Sequence, residues 1–507
     1  MSQVGTVSRR GFLRISGAGL AMAYLSGCDL GGSSSAAAEA LGAAFAQPIN
    51  DLDPHGPSSV DESTLLACRL IYDTPTRRTD AGIEPSLAKS WRQLDELTWE
   101  LSLREDVEFH DGSKLAARDL RASLLRVRDA DTAQSALWTT VEDVTVDGEH
   151  TVRISTTEPL GTMPVNLSLL FVLPADQLDS PDFFRQPVGS GPFRVTSFTP
   201  ALGLNLEPAK TYWGELAKVN QVNLPYIPET SSQITSLRTG ELDLLWPIPP
   251  DQLAAFDGAD NVEVHTVPSY VYYFTWFNCA RKPFTDPRVR RAMWHAADVA
   301  GIVRNLFGKG AEVMTAPIPK TVFGYAEQPA YQHDPELAKR ELASAGYPNG
   351  FRTSLMWFDT TGPLARQLAE ALISEWAKVG ITVEPQSLEK ADWLDRLNAL
   401  DWDMELQTNT VTTGDADFTL GRLYHSEAER LGYRNERLDQ LLRTASRVSD
   451  QDQRERLYAQ ACGLVWDDAA GIFPAALNSS YGVRSGVHGF VPAPSNQPDL
   501  RPVTLSG

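Results

Sequence analysis

The sequence predicts a large mixed α/β protein of several lobes, on three observations. Apolar residues recur with a period of two in some segments and of about 3.6 in others. Helix, glycine and short apolar strand follow one another repeatedly, as in an α/β layer. At 507 residues the chain also exceeds what a single hydrophobic core organises. Leu97 to Arg104 (LTWELSLR) alternates apolar and polar residues without a break and reads as a half-buried strand. Asp111-Gly112 makes a turn, after which Ser113 is expected to cap a helix with Ala116, Leu120, Leu124 and Val127 on one stripe. Asp286-Pro287 and Asp334-Pro335-Glu336 each pair an N-cap with a proline at the first helical position. The second of these helices runs through Leu337, Leu342 and Ala345 to Gly346. Leu364, Leu368, Leu372, Trp376 and Val379 form another stripe that stops at Gly380 and hands over to a strand at Ile381-Thr382-Val383. Ile234 and Leu237 precede Gly240 in the same way, with the strand Leu242 to Leu245 behind it. Two further helical stripes lie at Leu438, Leu441, Leu442 and Ala445, and at Leu457, Ala461 and Leu464.

The N-terminus carries an address. Ser8-Arg9-Arg10-Gly11-Phe12-Leu13-Arg14 precedes a short, weakly apolar run, Ile15 to Leu25, as in a twin-arginine export signal. That run is shorter than the roughly 20 apolar residues a permanent membrane span needs. Leu25-Ser26-Gly27-Cys28 ends it in the manner of a bacterial lipoprotein cleavage site, so Cys28 is expected to become the lipidated N-terminus. Residues 1–27 are then the signal, and 28–40, rich in glycine, serine and alanine, a flexible tether. The expected location is extracytoplasmic, anchored to the cell membrane.

Bulk composition narrows the partners. Net charge is −20, and −23 once the three arginines of residues 1–27 are removed. Nucleic acid is excluded as a partner, since its affinity comes from Lys and Arg neutralising phosphates. With Cys28 assigned to lipid, Cys68, Cys279 and Cys462 remain, an odd number without a CxxC pair. Free buried thiols are the expected state, so stability rests on packed cores.

The motifs of catalysis are missing. The eight histidines are scattered, with no HExxH and no pair at metal-ligand spacing. No GxSxG elbow, Walker loop or dinucleotide fingerprint is present, and Gly189-Ser190-Gly191 reads as a turn. No catalytic residue, metal or cofactor is expected.

The order of segments resembles the family 5 extracellular solute-binding proteins, the peptide/nickel type serving ABC importers. The residues that carry the resemblance run through nearly all of the chain. They begin with Asp51-Leu52-Asp53-Pro54-His55 and Glu84-Pro85-Ser86-Leu87-Ala88, and continue with Leu103 to Ser113 (LREDVEFHDGS). Val188-Gly189-Ser190-Gly191-Pro192-Phe193, Tyr212-Trp213-Gly214 and Gly240-Glu241-Leu242-Asp243 follow. The strongest block is Pro283 to Ala292 (PFTDPRVRRA), and Tyr347-Pro348-Asn349-Gly350-Phe351 comes behind it. The resemblance implies a bilobal clamshell of the periplasmic-binding-protein type II-like class with an extra inserted domain. Domain I would comprise 41–78, 187–267 and 475–507, the inserted domain II 79–186, and domain III 268–474. It also implies a monomer that captures oligopeptides in the cleft between the lobes and delivers them to a membrane permease. A metal chelate, a sugar or a polyamine is the alternative solute, and an exported peptidase on the same scaffold the more distant one.

Two segments are candidates for the ligand site. Tyr270 to Asn278 (YVYYFTWFN) is expected at the crossover between domains I and III, where Tyr270, Tyr272 and Trp276 would offer flat contact surface. The same rings equally suit a buried strand. Gly414-Asp415-Ala416-Asp417-Phe418 resembles the segment that supplies an acidic group to a peptide's α-ammonium in peptide-binding members, and the resemblance leaves the choice between Asp415 and Asp417 open. Trp357 is a further candidate for stacking on the ligand. One departure stands out: where dipeptide-type members carry an arginine for the peptide carboxylate, this chain has Asp359-Thr360-Thr361-Gly362-Pro363, and Arg366 belongs to the next helix.

Overall fold

The computed structural model describes residues 40–506 apart from 80, 81, 179, 181, 360 and 361. The signal and Cys28 lie outside the described residues. From residue 39 onward the chain forms one compact unit, and Ala40, counted above with the tether, already opens the first strand.

An eleven-stranded mixed sheet runs through this unit. Ten of its strands, in chain order, are β1 (Ala40–Phe45), β2 (Phe193–Thr199), β3 (Gly203–Pro208), β4 (Gln221–Pro225), β5 (Leu244–Trp246), β6 (Val262–Phe277), β7 (Arg352–Phe358), β8 (Thr382–Leu388), β9 (Met404–Thr410) and β10 (Gly471–Arg484). They lie side by side as β8-β7-β9-β6-β10-β5-β1-β4-β3-β2, and Ala311–Val313 pairs with β10 from the side. A separate four-stranded antiparallel sheet is built from Ala88–Asp95, Thr98–Leu103, Val141–Val146 and Thr151–Thr156.

Three main hydrophobic cores hold these layers. The largest contains the second half of β6 and the start of β10 with most helices of residues 284–470. Another packs β1, β3 and β4 with the Glu62–Ile71 helix and the second half of β10, and a small satellite lies beside it. The third covers the four-stranded sheet with the Ala117–Asp129 helix. The long strands β6 and β10 therefore cross from one core to another. Their register shifts between Pro268 and Tyr272, where the ladder passes between the cores and a bulge can bend it.

Local signals place most helices where the sequence does. Asp286 and Asp334 cap helices that open on Pro287 and Pro335, accepting the backbone N–H of Arg288 and Leu337. Gly240, Gly346 and Gly380 adopt positive φ at helix ends. Ser113 differs. It donates to Asp111 within the turn, and the helix begins at Ala117. There Asp119 accepts the N–H of Ala116 at 2.8 Å, so the cap comes from inside the helix. Gly189 and Gly191 are explained by close approach: a Cβ at either position would meet the Ile71 backbone at 1.9 and 2.6 Å. Cys68, Cys279 and Cys462 are free.

Candidate ligand cleft

Where β6 and β10 pass between cores, two adjoining cavities open. One, of about 490 Å³, is lined by Thr410, Thr412, Asp417, Phe418 and Arg422, by Ala133, Ala136 and Leu137, and by Val60. The other, of about 450 Å³, also includes Val60 and Thr410, and adds Glu62, Pro247 to Pro250, Ser269, Val271 and Asn496. The shared residues make them one cleft, walled by segments of all three cores.

The acidic loop enters this cleft in a defined way. Gly414, with φ of 63°, turns the chain so that its carbonyl accepts the N–H of Phe323 at 2.9 Å. Asp415 then caps the Ala416–Tyr424 helix, accepting the Asp417 N–H at 3.0 Å. Its carboxylate also accepts Arg454 Nη2 at 2.9 Å, with both side chains at most 3% exposed. Burial works against the Arg454 charge, but Asp415 and Tyr458 outweigh it and raise the guanidinium's pKa. Asp415 is thus committed to the interior.

Asp417 faces the cavity. Its Oδ1 accepts the Tyr458 hydroxyl at 2.8 Å, and no Lys or Arg of the described residues forms a salt bridge with it. Burial, helped by the nearby Asp415, raises its pKa. A carboxylate in that position gains most from a cation that arrives with the ligand. One turn on, Gly421 leaves the space beside it open: a Cβ there would lie 3.6 Å from Asp417 Oδ1.

The aromatic candidates divide differently. Tyr272 and Trp276 are 0% and 1% exposed. Tyr272 accepts Asn409 Nδ2 at 3.4 Å, and Trp276 Nε1 donates to the Tyr424 hydroxyl at 2.9 Å. Trp357 is buried in the same core. Tyr270 is half-buried against that core and borders neither cavity, and it is the neighbouring Ser269 and Val271 that reach the cleft. From Tyr272 to Phe277 every residue of β6 is buried, so both faces of the strand pack there and its rings go to the core. Arg366 sits on the outside of its helix, paired with Glu370 at 2.8 Å.

Glu62 was not singled out by the sequence. It opens the Glu62–Ile71 helix, and among the described residues its carboxylate receives only long bonds, from Thr410 Oγ1 at 3.3 Å and Asn496 Nδ2 at 3.5 Å. Burial raises its pKa. Arg422 was missed as well; its guanidinium stacks 4.7 Å from the Phe418 ring and donates to Asn409 Oδ1 at 3.2 Å. Nothing in the local sequence distinguishes these residues from ordinary helix-surface charges, because the cleft is assembled from segments far apart in the chain.

Residues 82–430, well over half of the chain, match the family model described as bacterial extracellular solute-binding proteins, family 5 Middle. The probable D,D-dipeptide-binding periplasmic protein DdpA of Escherichia coli (strain K12) is 28% identical over 445 residues, covering 83% of this chain and 85% of that protein. The structure of HbpA2 from Haemophilus parasuis superposes with a TM-score of 0.83 at 23% identity, over 92% of this chain and 100% of that one. DppA from Helicobacter pylori, in complex with the peptide STSA, superposes with a TM-score of 0.77 at 26% identity, over 92% of this chain and 98% of that one. The fold is the bilobal clamshell of these binding proteins. The chain belongs to the bacterial extracellular solute-binding proteins of family 5, which serve ABC importers, and it acts outside the cytoplasm by binding rather than by catalysis.

Proposed function

We propose that this protein is a lipid-anchored, monomeric receptor that captures peptides by their α-ammonium group at Asp417 and presents them to a membrane permease. The observation that carries the reading is the Asp417 carboxylate, which faces the cleft bonded to a tyrosine hydroxyl and has no salt-bridge partner among the described residues. An ammonium group supplies the missing charge through a charge-assisted hydrogen bond. Two relatives whose names state peptide ligands lie in the same direction. Binding favours the closed clamshell because the ligand touches both lobes only in that state. Thr410 and Thr412 add hydroxyls along the path, and Val60 and Leu137 apolar surface. Cys28 is the expected anchor, and Cys28→Ala should release the protein from membranes into the soluble fraction.

Calorimetric titration tests the ligand class. Peptides of two to six residues with free amino termini should bind, N-acetylated ones should bind roughly tenfold or more weakly, and Asp417→Asn should erase the difference. Equal affinity for free and acetylated peptides would reject the ammonium assignment. The second reading, a cationic non-peptide solute such as a polyamine, is favoured by Glu62, a second cleft carboxylate without a salt-bridge partner among the described residues. Polyamine binding with no peptide binding would select it.

A further inference from the structure

Beside the cleft, a separate cavity of about 290 Å³ has the opposite electrostatic character. Four arginines line it, Arg69, Arg77, Arg78 and Arg501, in a chain whose net charge is −20. Two of them are neutralised: Arg77 pairs with Glu84 at 3.0 Å and Arg501 with Asp499 at 2.6 Å. Asp73 also borders the cavity, but its oxygens accept Trp213 Nε1 at 2.8 Å and the Tyr212 hydroxyl at 3.2 Å.

Arg69 and Arg78 form no salt bridge among the described residues. Arg78 donates to the carbonyls of Thr413, at 2.7 Å, and Gly414. Arg69 donates to Gln497 Oε1 and, at 3.4 Å, to the Ser168 carbonyl, and it lies 5.8 Å from the Phe171 ring centre. A guanidinium offers five N–H donors; those two bonds leave Arg69 with donors to spare. A largely buried cation with only neutral acceptors is costly unless a counter-charge completes it. Burial accordingly lowers its pKa to about 10.

We propose that this cavity is an oxyanion-binding site anchored by Arg69, taking a carboxylate or a sulfate- or phosphate-like group. Its position relates it to the cleft. Glu62 and Arg69 lie seven residues apart on one helix, hence on one face and about 10 Å apart along the axis. The adjacent residues Asn496 and Gln497 bond to Glu62 and Arg69 respectively. A cation-seeking group and an anion-seeking group thus stand side by side along one strip. The oxyanion is either a carboxylate of the captured solute reaching past the cleft, which rests on the peptide reading above, or a free inorganic anion, which does not.

The test uses the full chain in mild detergent at low ionic strength, in two arms. In the first, sodium sulfate is titrated calorimetrically into the parent, Arg69→Gln and Arg69→Lys, after each is shown to melt cooperatively. In the second, free-acid peptides are compared with their C-terminal amides. Saturable sulfate binding, weakened roughly tenfold by Arg69→Gln and partly kept by Arg69→Lys, supports the site. A preference for free acid over amide that vanishes in Arg69→Gln also supports it and identifies the solute's carboxylate as the source. Sulfate binding with no such preference identifies an inorganic anion. Should Arg69→Gln not fold, Arg69→Lys, which keeps the charge but not the planar fork, is read alone and should weaken sulfate binding. The proposal is overturned if sulfate does not bind and acid and amide peptides bind alike, or if either effect persists unchanged in the arginine variants. Absence of all peptide binding would reject the peptide reading alone, and the sulfate arm would still decide the site.

Discussion

Two aspartates two residues apart do different work, and the difference lies in what each carboxylate faces. Asp415 lies 2.9 Å from a buried arginine, so Asp415→Ala strands Arg454 in the interior and should cost about 3–5 kcal/mol of stability. Asp417→Asn keeps the Tyr458 contact in an isosteric form and should stay within roughly 1 kcal/mol of the parent, while losing ammonium recognition. Denaturant unfolding of the two variants checks the contrast. His55 gives a second residue-level prediction. It is 1% exposed; Nε2 bonds to the Phe171 carbonyl at 3.1 Å, and Nδ1 has no partner among the described residues. Burial, reinforced by Arg126, lowers its pKa from 6.5 to about 3. Between those values the unfolded chain binds the proton and the folded one does not, so this group's contribution falls as pH drops below 6.5, by about 1.4 kcal/mol per unit. Stability curves of His55→Gln and the parent should therefore converge as pH falls from 6.5 towards 4; parallel curves would contradict the assignment.

At the scale of elements, caps and stops were legible because they are local. Asp286 and Asp334 act on N–H groups two or three residues away, and Gly380 ends its helix by its own φ. Ser113 misled because a serine after a turn can bond back to the turn as readily as forward to a helix, and Asp111 takes it. The cleft was legible only in part. The acidic loop is one short segment and could be found, whereas Glu62, Thr410 and Asn496 come together only when strands from both ends of the chain pair. The aromatic run of β6 was located, but whether one face or both pack is a tertiary outcome, and from Tyr272 to Phe277 both went to the core. Gly414 joins the levels. Its φ of 63° and the Arg78 Nε that a Cβ would meet at 2.5 Å both oppose a side chain. Gly414→Ala should cost about 1–2 kcal/mol from the backbone alone, release the Arg78 bridge, and weaken peptide binding by shifting Asp417. Unfolding and titration of that variant measure both effects.

For the whole molecule, the crossing of β6 and β10 between cores places one shared, bulged ladder behind a cleft whose walls belong to different cores. A ligand that touches those walls together stabilises the folded state by mass action. The most direct measurement is thermal unfolding of the parent and Asp417→Asn, freed of bound solute by unfolding and refolding, with a pool of di- to hexapeptides and with the same pool N-acetylated. At about 100 times the dissociation constant, the free pool should add roughly 2.7 kcal/mol to the parent and raise its midpoint, with little effect from the acetylated pool or on the variant. An unmoved midpoint in the parent, or equal shifts with both pools or in both proteins, would contradict capture of peptides through Asp417.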